Sequence, residues 1–360
     1  MGYVCAFCIT HYFGKCESRV IMRVSNGNMV RKMRLTDQER ALIKVIGVRG
    51  DLPLTEIGAL VGLPTYTVRH ALSRLIEREY VRRAVIVDTF LLGWIRFNIF
   101  FSMSLQESAS KSRVIHQLMN FDRTAYLAEA TGDFDYEVSL LARSSHDMMQ
   151  IMRRISDRFE GVFFAKSISN RVRIVLFPRK YLSDHRTRIE ALAVGGTDAE
   201  VAIDSLDHRI LAQLDAYPFD SLREVARRLS VAPSTVEKRV AQLKERRVIV
   251  GTVYSTNPAL YGCISHTILI FTRGFSSELR KSLFSWAREH PHITSFVECF
   301  GAWDFELGVE FERADQLVAL RESIAQQFGQ GITTIRTVVK LKTYRYSSYP
   351  MRREPSSAST

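Results

Sequence analysis

The chain contains its own internal copy. Ile57 aligns with Val225, a displacement of 168 positions, and the alignment continues without a gap on both sides. Glu56 falls on Glu224, Thr67 on Thr235, Val68 on Val236, Leu75 on Leu243, Glu77 on Glu245 and Arg78 on Arg246. Upstream, Leu42, Ile43 and Ile46 fall on Ile210, Leu211 and Leu214. Hydrophobic periodicity alone repeats only the buried face of a helix, whereas this match covers both faces, so it points to two copies of one folded unit.

Each copy reads as three short helices. In the second, Leu206, Ile210, Leu211 and Leu214 recur at helical spacing before the break at Tyr217 and Pro218, and Leu222, Val225, Ala226 and Leu229 make one face of the next helix. A third helix begins near Pro233, where a missing amide donor costs nothing, and buries Val236, Val240 and Leu243. Its other face carries Ser234, Thr235, Lys238 and Arg239. Hydroxyls and amides at a helix start suit phosphate oxygens, and long cations suit phosphates and guanine edges. In the first copy Thr36 and Glu39 predict a capping box, and the third helix offers Thr65, Tyr66, Thr67, Arg69, His70 and Arg74. It is thinner in cations, so a weaker contribution to DNA affinity or a different half-site preference is expected. A solvated basic face on an ordinary three-helix unit remains the alternative.

Charge narrows the partners. Fifty Lys plus Arg against 38 Asp plus Glu give +12, an excess that favours a polyanion. No apolar run approaches the ~20 residues of a membrane span, so no membrane partner is expected. Residues 1–34 fit poorly with the rest of the chain. Cys5, Cys8, His11 and Cys16 superficially resemble zinc ligands, but the spacing is compressed and no second knuckle appears. The segment is expected to be a disordered extension or to precede a true start at Met29 or Met33. It lacks a signal-peptide layout, and Cys263 and Cys299 sit in apolar strand patterns as reduced core residues, so a cytoplasmic protein is expected.

A short β segment comes after each tri-helix, at 81–87 and 248–254, and then a longer module. The first alternates strand 95–103, helix 110–119, strands 124–130 and 135–142, helix 145–159 and strand 163–177. The second does so at 265–272, 277–290, 294–299, 303–311, 314–328 and 332–343. The order βαββαβ predicts a ferredoxin-like sheet with both helices on one face. The middle hairpins read EATGDFDYEV and ECFGAWDFEL, matching Gly132 to Gly301 and Asp135 to Asp304. A glycine opens the backbone to a ligand and a carboxylate could hold an ammonium; a tight turn explains both residues equally.

These features together resemble the leucine-responsive and asparagine-operon (Lrp/AsnC) regulator family, present twice in one chain. The resemblance implies an α+β fold in which two winged helix-turn-helix units, at 35–90 and 204–258, alternate with two ferredoxin-like effector and dimerisation modules, at 91–182 and 259–349. The stretches 183–203 and 350–360 are then linker and tail. It implies double-stranded operator DNA as partner, self-association through the sheet modules, and an amino-acid effector near Gly132, Asp135, Gly301 and Asp304. The usual member carries one copy and dimerises, so an intramolecular pseudo-dimer and a homo-oligomer both stand open. Siroheme decarboxylases resemble the same family and can also be fused in tandem, which makes an enzyme the competing reading. The middle strands here place His292 and Arg123 at their margins, and His116, His146 and His266 are scattered. Glu129, Asp135, Glu298 and Asp304 would repel propionates. No nucleophile, phosphate loop, metal set or cofactor motif is evident, so no enzyme activity and no cofactor are expected. The end at 340–351 reads as an edge strand with a flexible tail.

Overall fold

The computed structural model describes residues 35–104, 108–184, 188–274 and 276–351. The Cys5, Cys8, His11 and Cys16 set, the candidate starts Met29 and Met33, and residues 352–360 lie outside the described residues. In chain order the first half comprises α1 (Asp37–Arg49), α2 (Leu54–Val61), α3 (Thr65–Glu77), β1 (Val81–Val87), β2 (Ile95–Ser102), α4 (Ser108–Asn120), β3 (Thr124–Thr131), β4 (Tyr136–Ala142), α5 (Ser145–Arg158) and β5 (Ala165–Leu176). After β6 (Leu192–Gly195) the sequence of elements recurs as α6 (Ser205–Ala216), α7 (Leu222–Leu229), α8 (Pro233–Glu245), β7 (Ile249–Thr256), β8 (Ile264–Thr272), α9 (Ser277–Glu289), β9 (Ile293–Gly301), β10 (Phe305–Phe311), α10 (Ala314–Phe328) and β11 (Ile332–Tyr346). No helix among the described residues is long and apolar enough to cross a membrane.

The tri-helices form where the apolar spacing predicts. Thr36 and Glu39 make the reciprocal capping box of α1, and Asp204 with Asp207 does the same for α6. Gly62 and its counterpart Ser230 take left-handed conformations that end α2 and α7 before the third helix. Each core is finished by the other half. Tyr254 of β7 packs with Leu42, Ile46, Val68 and Leu75, while Val85 and Val87 of β1 pack with Ile210, Val225, Val236 and Leu243.

That exchange results from the pairing of β1 with β7 as an antiparallel two-stranded ribbon. Val85 lies opposite Thr252 and Ala84 opposite Val253. Because Thr252 is the repeat counterpart of Ala84 and Val253 that of Val85, the ribbon's own register places a pseudo-two-fold axis between the halves. Neither tri-helix is a separate bead on a string.

The remaining strands correct the expectation of two separate ferredoxin-like modules. Each half contributes four antiparallel strands, β5-β2-β4-β3 and β11-β8-β10-β9, and the outer strands then pair across the halves, β3 with β11 and β5 with β9. The result is one closed barrel within a mixed α/β fold, because pairing these edges satisfies backbone groups that two open sheets would leave exposed. Helices α4 and α5 cover one side through Leu118, Met148, Ile151 and Ile155, and α9 and α10 cover the other through Leu283, Ala287, Leu320 and Ile324. The polar stretch at 183–203 is not slack throughout: β6 pairs with β5 and buries Leu192 and Val194.

A short strap leads from the last strand of each half back to a tri-helix. After β5, a 3-10 turn at Lys180–Leu182 buries Leu182 against the α1 core, and the Lys44 ammonium donates to the Ser183 carbonyl at 2.9 Å. Arg179 and Tyr181 both donate to the Glu310 carboxylate, tying that strap to β10. After β11, Ser347, Ser348, Tyr349 and Met351 are buried rather than forming a loose tail. The Asp215 carboxylate of α6 accepts from the Ser347 hydroxyl at 2.6 Å and from the Ser348 and Tyr349 amides at 2.9 and 3.0 Å. Nor is β11 an edge strand, since it runs between β3 and β8.

Candidate nucleic-acid interface

Helices α3 and α8 start and stop at repeat-equivalent positions and each has 13 residues. In both, three residues at helical spacing face the core: Val68, Ala71 and Leu75, and Val236, Val240 and Leu243. What remains points outward. Tyr66 is 69% exposed, Arg69 and His70 are exposed, and Thr65 and Thr67 are partly so. On α8, Ser234 and Lys238 are exposed and Thr235 is partly so.

Two of the arginines expected as outward cations are instead engaged with their own tri-helix. Arg239 pairs with Asp204 at 2.6 Å and with Asp207 at 3.4 Å, and Arg74 pairs with Glu39 at 3.4 Å. The backbone amide of Asp207 and then the Arg239 guanidinium hold the Asp204 carboxyl below its ordinary range. Glu39 and Asp207 are counterparts, both third residues of a capped first helix, so each third helix is clamped onto the acid of its own first helix. Arg74 and Arg239 therefore act first as positioning groups. The exposed cations are Arg69 and Lys238, with Arg78, Lys244, Arg246 and Arg247 nearer the helix ends.

The hairpin residues meet a different fate. Gly301 has φ +147, and a Cβ there would lie 2.8 Å from backbone atoms of Ile168 and Ser169; Gly132 has φ +119 and faces the Thr337 carbonyl at 3.1 Å. Both glycines thus sit at the seams where the hairpin of one half crosses the last strand of the other. Asp304 accepts from the Thr272 amide at 2.7 Å and its hydroxyl at 2.9 Å, which fastens the hairpin to β8. Its counterpart Asp135 is exposed, and the position matching Thr272 is Met103, which offers no hydroxyl. The geometry brings each glycine beside its own aspartate, with Asp135 exposed and Asp304 partly exposed and held by Thr272. Gly301→Ala is expected to cost about 1–3 kcal/mol through strain and backbone overlap, read as a lowered thermal unfolding midpoint. An unchanged midpoint would show that the seam tolerates a side chain.

Inside the barrel lies a charged group that the hairpin motif does not disclose. Arg171 of β5 donates to Glu137 at 2.8 Å and to Glu306 at 3.1 and 3.2 Å, and Lys340 of β11 stands 3.5 Å from Glu137. Glu306 also accepts from Asn98 at 3.1 Å and from the Trp303 indole at 3.0 Å. Burial pushes the Glu137 carboxyl up, but Lys340 and Arg171 outweigh it and leave it below its ordinary value. The four are repeat counterparts, Glu137 with Glu306 and Arg171 with Lys340. A signal existed: a glutamate recurs as the second residue of two buried strands, YEVSLLA and FELGVEF. Phe100, Leu269, Val297, Val338 and Trp303 fill the space beside them. Outside the barrel, Glu298 is neutralised by Arg280 at 2.6 Å and Arg173 at 3.2 Å, and Glu129 accepts from the Tyr344 hydroxyl, so neither is a bare anion.

A family model described as winged helix-turn-helix DNA-binding matches residues 203–250, the span of α6, α7, α8 and the start of β7. The chain is 26% identical over 130 residues to the HTH-type transcriptional regulator FL11 of Pyrococcus furiosus, a match covering 36% of this chain and 83% of that relative. An uncharacterized HTH-type transcriptional regulator of Pyrococcus horikoshii is 22% identical over 133 residues, covering 37% of this chain and 83% of the relative. Among solved structures, the siroheme decarboxylase NirDL in complex with an iron-uroporphyrin III analogue superposes on 88% of this chain and 95% of its own, with a TM-score of 0.55 and 13% identity. An AsnC family regulator from Agrobacterium tumefaciens covers 41% of this chain and 95% of its own, at TM-score 0.36 and 19% identity.

Proposed function

We infer that this relative of Lrp/AsnC-type regulators is a DNA-binding transcription regulator in which one covalent chain does the work of a dimer. The observation that carries the reading is the pair of matched third helices, each docked by an apolar face and an arginine clamp, with Tyr66, Arg69 and His70 on one and Ser234, Thr235 and Lys238 on the other turned to solvent. The net charge of +12 supports a polyanionic partner. Thr65, Thr67 and Thr235 at the helix starts suit phosphate, and Arg69 and Lys238 reach farther toward the groove. Arg74 and Arg239 would hold the helices at their docking angle. The regulator relatives support the same reading.

Two ferredoxin-like halves fused into one barrel would replace the pairing between chains that single-copy relatives of this type would need. An amino-acid effector would engage the hairpin region from the side of Gly132 and Asp135, because Asp304 is already occupied by Thr272. Lys238→Ala should weaken binding to any duplex and lower the dependence of affinity on salt by about one ion released. Gel-shift titrations across a salt series measure this. Unchanged affinity and slope would remove α8 from the interface.

The whole-chain likeness to a siroheme decarboxylase keeps an enzyme as the second reading. A likeness at 13% identity establishes fold and no more. Against it stand a barrel centre filled by Phe100, Leu269, Val297, Val338 and Trp303 and glutamates already ion-paired with Arg171 and Lys340. Titrating siroheme into the protein while recording the visible spectrum separates the two: a saturable shift in the absorbance bands, together with no retained duplex, would favour the enzyme.

A further inference from the structure

The two outward helix faces are placed alike and built differently. With the helix limits equivalent, Tyr66 corresponds to Ser234, Thr67 to Thr235, Arg69 to Glu237 and His70 to Lys238. Only the threonine is shared. The largest difference is a reversal of charge at one position, since Arg69 and Glu237 are both exposed. The ribbon register and the exchanged strands of the two cores hold the helices about one pseudo-two-fold axis, so equivalent positions face equivalent steps of two half-sites.

We propose that a single chain reads a directional duplex site whose two arms cannot be exchanged, with Arg69 and Glu237 as the main discriminating pair and Tyr66/Ser234 and His70/Lys238 adding to the difference. The inference rests on the DNA-binding reading above. Its chemistry is that of base edges in the major groove. A guanidinium donates to both O6 and N7 of guanine, whereas a carboxylate accepts from the N4 amino group of cytosine and is repelled by phosphate. A tyrosine ring offers apolar area to a thymine methyl, and the much smaller serine does not. Two identical subunits would present identical side chains to both arms and prefer an inverted repeat. Here the difference between arms is covalent, so the protein lies on its site in one orientation, and inverting the base pair under one helix should lower affinity roughly tenfold.

The test is selection by the full chain, at low salt, from duplexes with a random central region. The expected result is a motif with two unlike arms in fixed relative orientation. An inverted repeat would overturn the proposal while leaving DNA binding intact; retention of no duplex would overturn the DNA-binding reading itself. A second selection uses the variant Ser234→Tyr, Glu237→Arg, Lys238→His, which gives α8 the outward side chains of α3 at positions outside both cores. Its motif should become an inverted repeat. The reciprocal variant Tyr66→Ser, Arg69→Glu, His70→Lys should give the other inverted repeat, and a motif unchanged in both variants would overturn the assignment of these residues.

Discussion

Arg171→Met should destabilise the protein by about 3–5 kcal/mol, because it leaves Glu306 buried without its guanidinium and Glu137 with Lys340 alone, 3.5 Å away. Denaturant unfolding at neutral pH measures the loss. The pH dependence carries the sign. In the parent protein the Glu137 carboxyl is held below its ordinary value, so its contribution is present above the usual glutamate range and is lost as pH falls through the depressed value. In the variant Glu137 lacks that guanidinium while its burial still favours the neutral form, so the deficit is largest at neutral pH and narrows in acid as this carboxylate takes up its proton. Exchanging all four charged residues together for apolar ones of similar volume should be close to neutral, since both the desolvation cost and the attraction disappear. A single exchange as mild as the fourfold one would show that Arg171 contributes packing and not charge.

Tyr349→Ala has the next largest expected effect, about 3–5 kcal/mol. Tyr349 is 1% exposed and touches three things at once: the core of the second tri-helix, Trp94 beside the barrel and, through its hydroxyl, His208 of α6. Deleting the ring should loosen the strap that Asp215 holds and speed amide exchange in α6 before α1. Tyr349→Phe keeps the ring and should lose only about 1 kcal/mol with the hydroxyl contact. Hydrogen exchange resolved helix by helix reports both. Equal exchange in α1 and α6 after the alanine change would mean that the strap serves the whole chain and not its second half.

The helices are legible in the sequence because each rests on a local rule. Leu206 to Leu214, the Thr36 and Glu39 cap and the Pro233 start are contained within a turn or two of chain, and the structure places them as the spacing implies. The order of strands within each half is legible for the same reason. Closure of the barrel is not, because pairing β3 with β11 joins residues such as Ala130 and Lys340 that no local pattern relates. The arginines on α3 and α8 show a subtler limit. Arg74 and Arg239 stand at the outer edge of a helical wheel, but their long side chains reach back to Glu39 and Asp207, and periodicity fixes where a Cβ points without fixing where a guanidinium ends. The C-terminal stretch reads as an edge and tail because its tyrosines and serines resemble a solvated segment until Asp215 is found behind them.

The exchanged strands have a consequence for how the chain is made. When β5 has left the ribosome, its seam partner β9 and the Tyr254 side chain that completes the α1 core are still unsynthesised, as is β11, the partner of β3. At ~5–20 residues per second that wait lasts on the order of ten seconds. Throughout it the nascent first half carries two unpaired strand borders and an unfinished core, which are the surfaces that recruit holdase chaperones and invite neighbouring nascent chains on the same messenger to pair wrongly.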